Sequence, residues 1–577
     1  MKMKSALLGA AAAVAFAPVM AQAAGHEGPR GRDGNVSIIY WQAPSILNPF
    51  LSGGTKDVES ASMIIEPLAR YDQGGNLTPW LVEEIPSVDN GGVSADLTSI
   101  TWKITPGLKW SDGSDFTSAD VKFTYEYCTH PEGGCAQATK FEGVTSVDTP
   151  DDLTVVVNFG QPTPNPYGPF VGGESPIIQA AQFADCIGAA ASTCTEQNFN
   201  PIGTGPFKVV EFKPNDVITM EANDMYRVEG KPAFATVTFK GGGDATAAGR
   251  AVMETGEFDY AWNLQLAPDV IAEMQEGGKG TPVAGFGPLV ERLMLNNSNP
   301  DPALGDMRSV KQDPSGPSEH PFLGDPAVYK AMSMAIDRPL LVEIGYGQAG
   351  KVTCNWVPAP DAFNSTSLSC DTQDIDGANA MLDAAGYMDT DGDGVRETPD
   401  GVKMSILYQT STNAVRQDFQ ALIKEWWSQI GIETELCNLS ASVFFGGDAG
   451  SPDTFQKFYA DVQMYANTFN GTDPQAYLGN GLCDKAPRPD SQWQGENISR
   501  VCIEGYDELH SQLSSTAGIE ARAEIGKKLN DMMVENGGLI PLVHRGRLSA
   551  HANSLGGVAL NVWDSELWNV ADWYRIK

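Results

Sequence analysis

The sequence predicts an α/β protein of at least two lobes. Three observations carry that expectation. The chain has 577 residues, too many for one hydrophobic core. Short β-type runs dominate its first half, and after about residue 320 longer helices interleave with strands.

In the first half, VSIIYW (36–41), TWKIT (101–105), LTVVVNF (153–159), FKVVEF (207–212), VITMEA (217–222) and ATVTFK (235–240) read as strands from their β-branched and aromatic content. Helices are sparse there, with SADVKFTYEYC (118–128) and DATAAGRAVMETGE (244–257) the best cases, so this half reads as α+β. Beyond it, AVYKAMSMAI (327–336), DGANAMLDAAGY (376–387), NAVRQDFQALIKEWWSQI (413–430) and IEARAEIGKKLNDMMVENG (519–537) carry apolar residues at helical spacing. VKMSILYQ (402–409), IETELCNL (432–439) and DVQMYA (461–466) fall between them as strands. Helix 413–430, Gly431 and strand 432–439 make an α/β crossover, the unit of a mixed or parallel sheet. Trp426 and Trp427 point about 100° apart on that helix, which puts one in the core and the other at its margin rather than both on a ligand.

The N-terminus predicts export. Two lysines precede an apolar run from Ala6 to Met20, and Ala21-Gln22-Ala23 fits a signal-peptidase site, so cleavage is expected after Ala23. The run is shorter than the ~20 apolar residues a membrane span needs, no cysteine follows it for lipid attachment, and no later stretch is long and apolar enough to insert. The formal charge of -35 argues against nucleic acid and anionic membrane surfaces as partners. In an oxidising compartment the nine cysteines invite pairing. Cys128 with Cys135, Cys186 with Cys194, Cys354 with Cys370 and Cys483 with Cys502 are close in sequence and leave Cys437 alone; none has CxxC spacing, so redox work and a zinc ribbon are not expected.

Most motif matches fail on context. GYGQAG (345–350) matches a dinucleotide fingerprint, but a helical stretch enters it and VTCNWVPAP leaves it, the reverse of the strand-to-helix order that aims a helix N-terminus at a pyrophosphate. No P-loop, nucleophile elbow or HExxH pair occurs, and the six histidines are scattered, so no enzyme is expected. DTDGDGVRETPD (389–400) survives longer. It sets Asp389, Asp391 and Asp393 at positions 1, 3 and 5, Gly394 at 6, the Val395 carbonyl at 7, Glu397 at 9 and Asp400 at 12, the order of oxygens in a calcium loop. Against it, position 12 is Asp and a strand follows where an exit helix belongs; the alternative is an Asp/Gly turn whose side chains cap one another. No cofactor is required, and calcium here would brace a loop.

Three stretches resemble one family. LTPWLVEEIPSVDNGGVSADLTSITWKITPGLKWSDGSDFTSADVKFTYEY (77–127), PIGTGPFKVVEFKPNDVITMEANDMYRVEGKPAFATVTFK (201–240) and HPFLGDPAVYKAMSMAIDRPLLVEIGYGQAG (320–350) look like the extracytoplasmic solute-binding proteins of peptide-type ABC importers, the dipeptide and oligopeptide group known as family 5; FDYAWNLQ and RLMLNN follow in the expected order. These motifs are scaffold: Trp110 to Gly113 is a turn, Thr117 or Ser118 caps a helix with Asp120 in its first turn, and Gly203 and Gly205 let the chain reverse before Phe207.

The resemblance implies a two-lobed periplasmic-binding-protein clamp of type II, in the large form with an extra α+β domain. Lobe one would comprise residues 34–60, 201–290 and 546–577, the inserted domain 61–200 and lobe two 291–545, after a signal peptide at 1–23. Closure of the lobes would bury a peptide or similar polar solute and present it to an ABC permease, with the protein acting as a periplasmic monomer. Peptide binders of the family hold the ligand's α-amino group with an aspartate in lobe two. Here alignment on Asp473-Pro474 puts Asn470 at that position, and an amide cannot neutralise an ammonium, so Asp473 or another carboxylate would have to take over. Other expected contacts are Trp262 and Asn263, the loop Gly53-Gly54-Thr55, and Arg292. The departure at Asn470 keeps a non-peptide solute open: an opine, glycoside or amine. A secreted hydrolase and a calcium-dependent structural protein are the readings outside this class.

Overall fold

The computed structural model describes residues 28–311, 318–448 and 450–576, and the expected signal segment lies outside them. Two large sheets organise the chain. The first has seven strands in the order Gly280–Gly285, Arg547–Ala552, Tyr260–Trp262, Asn35–Tyr40, Thr236–Gly241, Val217–Ala222 and Phe207–Lys213. Asn35–Tyr40 runs parallel to both of its neighbours. Its alternation marks its core face: Val36, Ile38 and Tyr40 are fully buried.

The second sheet has six strands, in the order Gly350–Val352, Leu539–Arg545, Val290–Leu295, Val462–Asn467, Ser405–Ser411 and Glu433–Leu439. The crossover read from the sequence is present: helix Ala414–Ser428 leads through Gly431, at φ +76°, into Glu433–Leu439, which pairs parallel with Ser405–Ser411. Gly431 needs that left-handed conformation, which costs glycine little. Trp427 is fully buried and gives its indole N–H to the Met332 carbonyl at 3.0 Å, while Trp426 keeps 8 % exposure at the margin.

A smaller antiparallel sheet of Ser99–Lys103, Thr154–Phe159 and Val144–Asp151 packs under helix Ser118–Thr129. Thr117 is that helix's N-cap, and Asp120 accepts from the Thr117 backbone N–H at 3.0 Å. Gly203 and Gly205 are glycines for a different reason than chain reversal. A Cβ on them would stand 1.8 Å from the Ile64 carbonyl oxygen and 2.5 Å from that of Met63, so close backbone approach excludes any side chain.

All four sequence-adjacent cysteine pairs are disulfides, and Cys437 is free and half-buried. Among the described residues no helix is long and apolar enough to cross a membrane.

The chain passes from one large sheet to the other at two adjoining places. One joins Gly285 to Val290; the other is the single residue Gly546 between strands ending at Arg545 and beginning at Arg547. The Arg545 N–H donates to the Leu289 carbonyl at 3.2 Å, which ties the two passages side by side. The cleft described next opens beside them.

Candidate functional site

Three adjoining chambers lie between the sheets and the smaller domain. The first, about 660 Å³ with its solvent mouth, is lined on the seven-stranded side by Gly53, Gly54, Thr55, Trp262 and Asn263. These are five of the residues expected at the site, drawn together from two distant segments. Phe445, Phe455 and Tyr465 form the opposite, aromatic wall.

Local structure places each of them. Gly54 caps helix Thr55–Ala61 and donates its N–H to Ser52 Oγ at 3.0 Å. Trp262 ends its strand stacked on Tyr40, with ring centroids 4.5 Å apart and planes 9° from parallel. Asn263 takes φ +53°, uncommon for a non-glycine residue. Its carbonyl accepts from Trp41 Nε1 at 2.8 Å, and its Oδ1 accepts from Arg545.

Beneath this chamber are buried charges that the sequence reading missed. Glu291 accepts from Arg416 at 2.7 and 3.2 Å and from the Tyr346 hydroxyl at 3.1 Å, with Arg545 3.5 Å away. Burial pushes the Glu291 carboxyl up, but the two guanidinium groups outweigh it and hold the group below the usual carboxylate range. On the other side, Glu59 accepts from Arg547 at 3.2 Å and from the Glu566 N–H at 2.8 Å. Burial dominates there, opposed by Arg547 and reinforced by Glu566, and the Glu59 carboxyl is pushed up to about 7. A sequence signal for these groups exists: Glu291-Arg292 interrupts an apolar strand, and Arg545-Gly546-Arg547 sets two arginines around one glycine.

The second chamber, about 530 Å³, shares Gly53, Thr55, Asn467 and Thr468 with the first and adds Lys140, Glu174, Tyr477 and Glu496. Lys140 and Glu174 pair at 2.6 Å. Several polar atoms of residues lining the two chambers are shut off from solvent without a protein partner: Tyr465 Oη, Thr468 Oγ1, Glu496 Oε1 and Arg545 Nε. Buried polar groups are nearly always hydrogen-bonded, so this concentration marks a surface shaped for a polar molecule. Arg292 is 3 % exposed and lies behind Tyr465, its guanidinium 4.9 Å from the ring centroid, rather than on the chamber wall.

Asn470 and Asp473 line a third chamber, with Tyr71 and Tyr167. Asn470 Oδ1 accepts from the Glu174 backbone N–H at 3.1 Å. Asp473 is clasped by Arg522 through bonds of 2.7 and 2.8 Å.

The acidic loop shares no residue with the three chambers and lies beside the edge strand Glu433–Leu439, where Lys403 stands 2.7 Å from Asp393 and 4.0 Å from Glu433. Carboxylate oxygens of Asp389, Asp391, Asp393 and Glu397 fall within 4.8 Å of one another, a set able to hold a hard cation; Asp400 is outside this group. The backbone N–H groups of Gly392 and Gly394 donate to Asp389 at 2.7 and 2.9 Å, and that of Val395 donates to Asp393 at 2.9 Å. Lys403 Nζ contacts Asp393 at 2.7 Å, and Glu397 is engaged by Thr390. The same atoms therefore also make the self-capped turn.

Residues 76–486 match the family model of bacterial extracellular solute-binding proteins, family 5. The oligopeptide-binding protein AppA of Bacillus subtilis is 28 % identical over 416 residues, which is 69 % of this chain and 68 % of AppA. The structure of AppA in complex with a nonapeptide superposes with TM-score 0.79 at 21 % identity, over 95 % of this chain and all of that one. NikZ from Campylobacter jejuni, in complex with Ni(L-His), gives 0.76 at 19 % identity over 94 % and 99 %. AgaA from A. tumefaciens R10, in complex with agropinic acid, gives 0.72 at 20 % over 94 % and 99 %.

Proposed function

This chain belongs to the bacterial extracellular solute-binding proteins of family 5, and from that premise we propose that it captures a peptide or similar polar solute between its two large sheets and delivers it to an ABC permease. The observation that carries the reading is the chamber pair at the sheet junction, where an aromatic wall faces glycines and buried polar atoms lack partners. Such a site does no bond chemistry. Its work is desolvation, hydrogen-bond matching and closure about the two adjoining passages.

The lobes follow the sheets: lobe one at 34–60, 201–290 and 546–577, the inserted domain at 61–200, and lobe two at 291–545. Supporting this division, all strands of the seven-stranded sheet fall in the first set, and the six-stranded sheet falls in the last except for Val290, the first residue of its strand Val290–Leu295. The N-terminal segment supports export to the periplasm with cleavage after Ala23. Calcium at Asp389, Asp391, Asp393 and Glu397 is assigned a bracing role only, because the loop shares no residue with the cleft.

A second reading, in which the solute is an opine, glycoside or amine, is favoured by one observation. The family's ammonium anchor is here Asn470, whose oxygen is spent on the Glu174 backbone. A thermal-shift screen against di- to hexapeptide pools and, in parallel, opines, sugars and amines separates the two. At a hundredfold excess over Kd a ligand adds about 2.7 kcal/mol of stability. A shift with peptides alone establishes peptide uptake, a shift with the other panel alone selects the second reading, and no shift with either contradicts solute capture.

A further inference from the structure

The second chamber contains a carboxylate that nothing in the fold satisfies. Glu496 is half-buried as a residue, but its Oε1 is shut off from solvent and has no hydrogen-bond partner. The chain brings lobe one hard against it. A Cβ on Gly53, which lines both chambers, would lie 2.8 Å from Glu496 Oε1, so a side chain there would push the carboxylate aside. A desolvated carboxylate with an empty acceptor position is costly in a free protein, and a hydrogen-bonding cation is what offsets that cost.

We propose that Glu496, seconded by Glu174, is the group with which this protein recognises the ammonium head of its solute. This rests on the solute-capture reading and specifies the solute's chemistry. The charges facing the position are few. Glu174 is already paired with Lys140 at 2.6 Å. Arg292 stacks over Tyr465, its guanidinium 4.9 Å from the ring centroid, and among the described residues it forms no ion pair with Glu496. Tyr465 and Tyr477 contribute hydroxyls without partners. Glu496 is thus the acceptor left over. It also resolves the loss at Asn470, since the ammonium anchor moves from the third chamber to the second, where the charge-assisted bond is about twice as strong as one to an amide.

Burial, with Glu174 nearby and Arg292 opposing, pushes the free Glu496 carboxyl up to about 8. A bound ammonium favours the ionised form, so capture at neutral pH releases a proton, and affinity rises as pH approaches 8.

The test is affinity selection with mass-spectrometric identification, using wild-type protein and Glu496→Gln. Both are exposed to one mixture: tri- to hexapeptides lacking lysine and arginine with free N-termini, the same peptides N-acetylated, and neutral sugars and polyols. The expected result is retention of free-amine species at least tenfold above their acetylated counterparts by the wild type, loss of that preference in Glu496→Gln, and an unliganded Tm in the variant no lower than wild type. Retention of acetylated or neutral species with the preference unchanged in the variant overturns the assignment while leaving solute capture standing. Retention of nothing by the wild type counts against solute capture itself and overturns the assignment with it.

Discussion

Asp473 and Arg522 form a two-pronged ion pair, with Oδ2 2.7 Å from Nε and Oδ1 2.8 Å from Nη2. Both side chains are largely covered, at 15 % and 4 % exposure. The acid beside the family's anchor position is therefore committed to helix Ile519–Glu535, and its partner also caps the carbonyls of Leu513 and Thr516.

Asp473→Asn should consequently act on stability and leave solute preference unchanged. Removing one member of a covered pair leaves the other charge uncompensated, a loss of about 3 kcal/mol. Chemical denaturation measures it, and a changed solute profile in this variant would place Asp473 at the ligand instead.

Glu291→Gln should cost about 3–5 kcal/mol, because Arg416 and Arg545 then face a neutral amide in a buried site. The pH dependence has a definite sign. The folded carboxyl lies below its unfolded value near ~4.3, so Glu291 contributes stability that is present above that value and lost as pH falls through the folded one. The gap between wild type and variant should narrow below about pH 4 in urea melts taken across pH.

Gly53→Ala should weaken solute binding about tenfold or more, equivalent to about 1.4 kcal/mol, while moving Tm little. The new methyl meets the end of the Glu496 side chain at 2.8 Å and the Phe455 ring at 3.4 Å, neither of them backbone. Titration calorimetry beside a thermal melt separates the two effects.

Calcium should raise Tm and a chelator reverse the rise, with solute affinity unaffected, because the acidic loop shares no residue with the three chambers. At a hundredfold excess over its Kd the ion would add about 2.7 kcal/mol. Substituting Asp391→Asn should abolish the calcium response.

Much of the fold was legible because its elements obey local rules. Val217–Ala222 is bounded as its β-branched run predicts, and Ala414–Ser428 follows its apolar spacing. Leu539–Arg545 and Val290–Leu295 were not assigned as strands from local pattern, since both faces of each are buried and no alternation marks them. The site was legible in part. Gly53, Gly54, Thr55, Trp262 and Asn263 do line one chamber, but they were found by resemblance. Arg416 and Glu496 look like ordinary surface charges in sequence, and the arginines around Gly546 are legible only as a pair; long-range packing buries Arg416, Arg545 and Arg547 beside the cleft and half-buries Glu496. Asn470, expected at the ligand, lines the third chamber, where its oxygen accepts from the Glu174 backbone N–H.

Native mass spectrometry of the purified protein incubated with a mixed pool of peptides and polar solutes tests the central claim most directly. The account predicts a 1:1 complex with an unmodified solute that survives desalting and is abolished by blocking the first chamber with Thr55→Trp. Absence of any complex, or chemical conversion of the pool, would contradict it.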